Sequence, residues 1–510
     1  MLQDTQNNNH FNQTNFIKLD TTISMKKYLR VFLFIAVLPL LHNCSKGEDP
    51  ISKDIEIQNF VWKGMNSYYF WQSNIPNLSD TRFTSQSQLN EFLKGYNSPE
   101  EIFEALRFQP GIVDRFSWIV DDYIELENSF QGINTTTGMD FGLKRYKDNS
   151  TNVYGYVRYI LPNSSAASKD IKRGMIFNTI NGTQLTDSNY RNLLFSNSTN
   201  LNVGFANYNN ENPISNDVFT TLSKEEIAEN PIAISKIIRE GNKKIGYLLY
   251  NQFSSSYDEQ LNTVFNSFKT ENIDDLIIDL RYNGGGSVNT ATYLGSMITG
   301  QFTGELYSKE VWNSKIQKAY SADNFYNYFT DEIKRTDENG NVVIQESIHS
   351  LNLSKVYFIV SASTASASEL VINSLRSYIE VKIVGTTTVG KQVGSVTLYD
   401  SDNLTRNGEN LNTTHSYAIQ PIVLEISNKD NQNEPDGFTP AVTLPGIQIA
   451  ENEGNLGVLG ERSDPLLDKT ITYITTGSKG VLKINKLKSS DFYNSRLANP
   501  ASNNMYSNHR

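Results

Sequence analysis

Three short stretches of the 510-residue chain carry side chains whose types and spacing suit chemistry. The first is Asp279-Leu280-Arg281-Tyr282-Asn283-Gly284-Gly285-Gly286, at the end of an apolar run. Three glycines let backbone approach a ligand closely and aim N–H groups into a site, although glycine runs also make ordinary turns. The second is Thr364-Ala365-Ser366-Ala367-Ser368-Glu369-Leu370. A Ser on a strand-to-helix turn can present its hydroxyl at a sheet edge, where the helix N-terminus favours negative charge developing on a substrate oxygen. The same residues form a capping-box pattern, Ser366 at the N-cap and Glu369 at N3, and the two roles are compatible. The third is Gly385-Thr386-Thr387-Thr388-Val389-Gly390-Lys391-Gln392. A phosphate-binding loop of this form needs Ser or Thr after the Lys to hold Mg²⁺, and here that residue is Gln392. Residues 393–398 have the pattern of a strand, not of the long helix such a loop opens, so nucleotide binding is excluded.

Composition narrows the field further. Histidines stand at 10, 42, 349, 415 and 509 with no pair at ligand spacing, and Cys44 is the only cysteine. That excludes an intramolecular disulfide framework and a Cys-cluster zinc site, and it leaves no call for a metal. The net charge of −10 is wrong for general nucleic-acid binding, which needs a basic footprint. With 27 Tyr and 26 Phe, core material is too abundant for a disordered chain, and the length suits several domains.

Ser366 needs a base to act as a nucleophile. Neither His349 nor His415 lies in a sharp motif, whereas Lys391 follows Ser366 by 25 residues. One helix and one strand between them return the chain to the same sheet edge. A lysine amine is a base only when neutral, and its free pKa of about 10.4 must fall by burial; Val384, Val389 and Val393 are candidates for the apolar surroundings. The Ala367 N–H, directly after the nucleophile, is a natural oxyanion donor.

With these residues the sequence resembles the carboxy-terminal-processing peptidases, the S41 serine peptidases with a Ser–Lys dyad. The resemblance spans roughly 55–476. It rests on Ser366 to Glu369, Gly390-Lys391, the interval between them and the glycine turn after Asp279. It implies Ser366 as nucleophile, Lys391 as general base, and an oxyanion hole of Ala367 with Gly285 and its neighbour Gly286. It implies no cofactor, and as substrate a peptide or unfolded protein with a free C-terminus. One position departs: many family members place Gln four residues after the Lys to orient the amine, and Ser395 stands there. Ser395 or the nearby Gln392 would have to serve, though Gln392 points the other way on a strand. A catalytically weak or inactive peptide-binding lipoprotein is the alternative expectation. The sequence sets no oligomeric state.

The elements that must position these residues divide the chain. Residues 1–44 form a leader: Lys26, Lys27 and Arg30 precede an apolar run over 31–41, then Cys44. The run is too short to span a bilayer and suits a signal peptide, with Met25 a possible true start. Leu41-His42-Asn43-Cys44 resembles a bacterial lipobox, so a lipid on Cys44 is expected to anchor the protein to a membrane of the cell envelope, at the outer membrane or periplasmic face. Residues 45–130 are expected to be a tether and a helical domain, with Ser98-Pro99-Glu100-Glu101 as a helix start. Residues 131–225 alternate like strands and resemble a PDZ domain, in Phe141-Gly142-Leu143 as its carboxylate-binding loop, Ser164 to Ala167, and Arg173-Gly174 through the Asn181-Gly182 turn. Residues 226–478 alternate strands and helices, and the resemblance implies a crotonase-like spiral of stacked ββα units. Residues 479–510 are expected to be a loose tail. The fold class is thus multidomain α+β.

Overall fold

The computed structural model describes residues 51–148, 150–336, 341–479 and 491–507. The leader, its apolar run and Cys44 lie outside the described residues.

The first region is helical, as its apolar spacing predicts. Ser98 caps the helix Pro99–Ala105, accepting from the Glu101 N–H at 3.2 Å, with Glu100 and Glu101 at the positive end. Phe60, Val61, Met65, Ile102 and Phe103 are fully buried. They belong to the same apolar core as the central strands further along the chain, so these side chains are packing material. Gly64 lets the helix Glu56–Tyr68 lie close against the strand Ala418–Gln420: a Cβ there would come within 2.6 Å of Ile419.

Residues 139–223 build an antiparallel sheet with its own core. Met139–Arg145, Val153–Ile160, Ile176–Ile180, Asn200–Asn207 and Ile214–Ser223 follow one another as neighbours. Asn181 and Gly182 turn the chain with φ of 52° and 75°, the positive pair a tight hairpin requires. Phe141, Gly142 and Leu143 are not a loop. They lie inside the strand Met139–Arg145, and Phe141 and Leu143 pack into this core because alternate residues of a strand share a face.

The remaining strands feed two sheets. One runs in the order Ile232–Glu240, Lys243–Tyr250, Asp275–Asp279, Lys355–Val360, Glu380–Gly385, Gly446–Gln448. Only its first pair is antiparallel. Strands buried on both faces read as near-continuous apolar runs, which is why 276–278 and 356–360 were legible, while half-buried Lys382 interrupts the run at 381–384. The helices Val288–Ile298 and Ala367–Leu375 pack together beside it. The second sheet runs Gly286–Ser287, Met505–Tyr506, Val393–Ser395, Ile422–Ser427, Leu306–Trp312, Tyr326–Tyr328.

The expected loose tail is contradicted over its described part. Tyr493–Asn494 adds a strand to Met139–Arg145, and Met505–Tyr506 sits between two strands of the second sheet. Met505 is fully buried. Two-residue strands carry no periodicity, so their pairing is invisible in sequence.

Candidate active site

The strands Asp275–Asp279 and Lys355–Val360 run parallel and side by side, so the loops at their C-terminal ends meet. Those loops are the glycine turn and the turn that opens the helix Ala367–Leu375. Side chains and backbone join the two. Thr364 Oγ1 donates to the Leu280 carbonyl at 2.8 Å, Ser361 Oγ donates to the Arg281 carbonyl, and the Ala365 N–H donates to the Asn283 carbonyl at 3.1 Å. Arg281 is fully buried with Asp279 and Asp464, at 2.6 and 2.7 Å, and holds the strand end from beneath.

Ser366 occupies the N-cap with φ 66° and ψ −119°. A non-glycine residue pays about 1–3 kcal/mol for such a conformation, and residues of this kind cluster at functional sites. The anticipated capping box has both of its residues in place, Ser366 at the N-cap and Glu369 at N3. Glu369 accepts the Ser366 N–H at 2.9 Å, and the buried Ser366 hydroxyl faces the N3 backbone without a close hydrogen bond among the described residues.

Glu369 is the residue sequence reasoning undervalued. Its carboxylate lies at the centre of the site and accepts from four donors. Oε2 takes the N–H groups of Ser366 and Lys391 (2.9 and 2.8 Å), and Oε1 takes the Gly390 N–H (2.7 Å) and the Thr388 hydroxyl. Burial raises its pKa, while these hydrogen bonds oppose the rise. One carboxylate thus ties the Ser366 turn to the Lys391 turn, 25 residues apart in sequence.

Lys391 is 2% exposed. Desolvation lowers its pKa from 10.5 to about 7, against the opposing fields of Glu369 and Asp114. The ammonium lies 4.8 Å from the centroid of the Phe116 ring, an aromatic wall from the helical region. Nζ donates to the Asn503 carbonyl at 2.6 Å and to Asn504 Oδ1 at 3.3 Å. A lysine in this state can take up a proton near neutrality. Lys391 also lines an open cleft of about 750 Å³, together with Ser363, Trp118, Tyr156 and Arg158.

The glycine turn reaches the same point. Gly285 has φ 115°, and a Cβ on it would lie 2.6 Å from Ser366 Cβ and 3.0 Å from the Ala367 nitrogen. Ala367, Gly285 and Ser366 therefore come together as expected. The Gly285 N–H, however, already donates to Asn283 Oδ1 at 2.9 Å, whereas Gly286 pairs with Met505.

The sequence profile of Peptidase family S41 matches residues 244–437, and that of the Peptidase S41 N-terminal domain matches residues 56–118. Together they cover just over half of the chain. The chain belongs to peptidase family S41. It is a serine-type peptidase. Its fold resembles that of a protein assigned to the S41 proteases from Bacteroides fragilis NCTC 9343, with a TM-score of 0.61 at 21% identity, covering 86% of this chain and 100% of that one. The photosystem II D1 C-terminal processing protease aligns with a TM-score of 0.45 at 14% identity, covering 82% of this chain and 100% of that one. No curated protein matches the chain in sequence.

Against the usual S41 arrangement, position 395 now has a context. Ser395 Oγ donates to Asn504 Oδ1 at 2.9 Å, and Asn504 Nδ2 donates to Gln420 at 3.4 Å. The amide beside Lys391 is therefore that of Asn504, not of Gln392. Gln392 precedes the strand Val393–Ser395, and its carbonyl accepts the Ile426 N–H. His415, set aside as a base in favour of Lys391, meets Asp400 at 3.1 Å.

Proposed function

We propose that this S41 peptidase works through Ser366 and Lys391. The observation that carries the reading is their joint clamping by Glu369, with Ser366 on a strained helix-opening turn and Lys391 buried to a pKa of about 7. The Ser366 hydroxyl attacks a peptide carbonyl carbon, and its proton passes to neutral Lys391 Nζ. The peptide C–N bond then breaks, Lys391 returns the proton to the leaving amine, and water hydrolyses the Ser366 ester by the same route in reverse. The tetrahedral oxygen is received by the Ala367 N–H and by the glycine turn. Gly285 donates to Asn283 and Gly286 is strand-paired with Met505, so one of these N–H groups has to be released to serve as the second donor. Loss of one such donor costs about 10²–10³ in rate.

The residue 139–223 sheet serves as a PDZ-like module. The edge of Met139–Arg145 at Gly142 and Leu143 already accepts an added strand, the way such modules hold an extended peptide. Substrates are peptides or unfolded proteins presenting a C-terminal segment. A lipid on Cys44 holds the enzyme at a membrane of the cell envelope; the basic stretch, apolar run and cysteine in that order support this.

The test is proteolysis of reduced, unfolded casein by residues 45–510 and by the same chain ending at residue 490, each beside its Ser366→Ala and Lys391→Ala variants. Whichever form cleaves loses cleavage in both variants. Cleavage that survives Lys391→Ala removes Lys391 as the base.

A further inference from the structure

The described C-terminal segment lies where a peptide substrate has to lie. At its start, Asp491 Oδ2 accepts the Tyr156 hydroxyl at 2.7 Å and an Arg158 N–H. Tyr493–Asn494 then adds an antiparallel strand against Leu143 and Gly142. The Tyr493 ring packs between Tyr190 and Phe195, with centroids 5.1 and 5.7 Å away. Arg496 pairs with Glu229 at 2.6 Å. Ten residues after Tyr493, the Asn503 carbonyl accepts from Lys391 Nζ. The Asn504 carbonyl oxygen lies 2.9 Å from the position of a Cβ on Gly285, the spot that Ser366 Cβ and the Ala367 nitrogen also approach. Met505 pairs with Gly286.

The consequence for chemistry is direct. The amine of Lys391 is bonded to tail atoms, and the Ser366 hydroxyl is fully buried with no close hydrogen-bond partner among the described residues. The base is engaged, the nucleophile is unpolarised, and no peptide from solution reaches it. One segment does this by main-chain pairing at both places where an extended peptide would be read.

We propose that residues 491–507 are a resident peptide ligand of the enzyme's own substrate path, running from the edge of the PDZ-like sheet to Ser366, and that a substrate's C-terminal segment must displace it. This rests on the peptidase reading above. Apparent activity is then reduced by the fraction of molecules in which the segment is seated.

The test compares residues 45–510, the same chain ending at residue 490, and the Tyr493→Lys variant of the longer form, which puts a charge into the buried groove. The readouts are the labelling rate of Ser366 by a fluorophosphonate, followed by intact mass with Ser366→Ala as control, and binding of a labelled synthetic peptide of sequence 491–507. The shortened chain and Tyr493→Lys are expected to label about tenfold faster or more, and the peptide in trans slows the shortened chain again. Equal labelling of all forms without peptide binding overturns the proposal. So does slower labelling of a shortened chain that melts cooperatively, because Asn504 would then complete the site by orienting Lys391. If the shortened chain does not fold, Tyr493→Lys decides by the same rate. Peptide binding with no labelling of any form refutes Ser366 as nucleophile and leaves the resident ligand standing.

Discussion

Replacing Glu369 by Gln tests whether one carboxylate assembles this site. The carboxylate accepts four donors through two oxygens. A Gln amide has one acceptor oxygen and one NH₂. With its oxygen in place of Oε2, it keeps the Ser366 and Lys391 N–H groups. Its NH₂ then faces Thr388, whose hydroxyl can turn to accept, and the Gly390 N–H, which cannot. The flipped amide strands two N–H groups instead of one. A buried donor left unpaired costs about 1–3 kcal/mol, and a hydrogen bond to a charged group is worth about 1.5–3 kcal/mol. Removing a buried charge offsets part of this, so the expected net loss is about 1–3 kcal/mol, read as a lower urea midpoint at constant slope. The same change removes the field that holds the Lys391 pKa up, so the rising limb of the pH–rate profile moves to lower pH. An unchanged midpoint would mean that Glu369 already carries a proton in the native state and does not clamp the two turns as a carboxylate. A limb that moved to higher pH would refute the assigned coupling between the two residues.

Three further predictions follow from the same geometry. Ser366→Gly relieves a φ of 66°, so it should raise stability by about 1–3 kcal/mol while abolishing activity; a lower melting temperature would contradict the strain. Lys391 has a folded pKa of about 7 against 10.5, so between these values the unfolded chain binds a proton the folded one does not. Stability therefore rises with pH across that window, Lys391→Met should flatten the rise, and an equal slope in both proteins would refute the lowered pKa. Arg281→Met leaves Asp279 and Asp464 buried without their cation; about 3–5 kcal/mol of stability should be lost in urea unfolding, and a change under 1 kcal/mol would show that the carboxylates find other partners.

Most of the site was legible because its chemistry sits at the ends of strongly apolar strands. Runs such as Leu276 to Leu280 and Val356 to Val360 announce buried parallel strands. A strand's end followed by glycine, or by Ser before a helix, is a place where backbone polar groups face a cleft. Ser366, Lys391, Ala367, Gly285 and Gly286 were reached by that logic together with a family resemblance. The reading of Phe141 to Leu143 as a loop went wrong at a local level. The alternation that buries Phe141 and Leu143 extends through their neighbours, and Gly142 inside it marks a close approach of another chain segment, not a turn: a Cβ there would meet Asp491 and the Tyr156 ring.

Two features stayed out of reach for different physical reasons. Glu369 matched a capping pattern so well that its second pair of hydrogen bonds, to Gly390 and Lys391, went unseen; those partners come from a turn fixed only by tertiary packing. The C-terminal segment had neither periodicity nor an apolar run, and its polar side chains read as solvated. Its order comes from main-chain pairing and from hydrogen bonds between its own polar side chains and those of other segments. Asn499 donates to Ser129 and Asn134 at 2.9 and 2.8 Å, Ser495 donates to Asp140 at 2.9 Å, and Ser395 donates to Asn504. The polar composition that made the tail look unstructured is therefore what supplies the hydrogen bonds that seat it, down to Asn504, whose side-chain oxygen accepts from both Ser395 and Lys391.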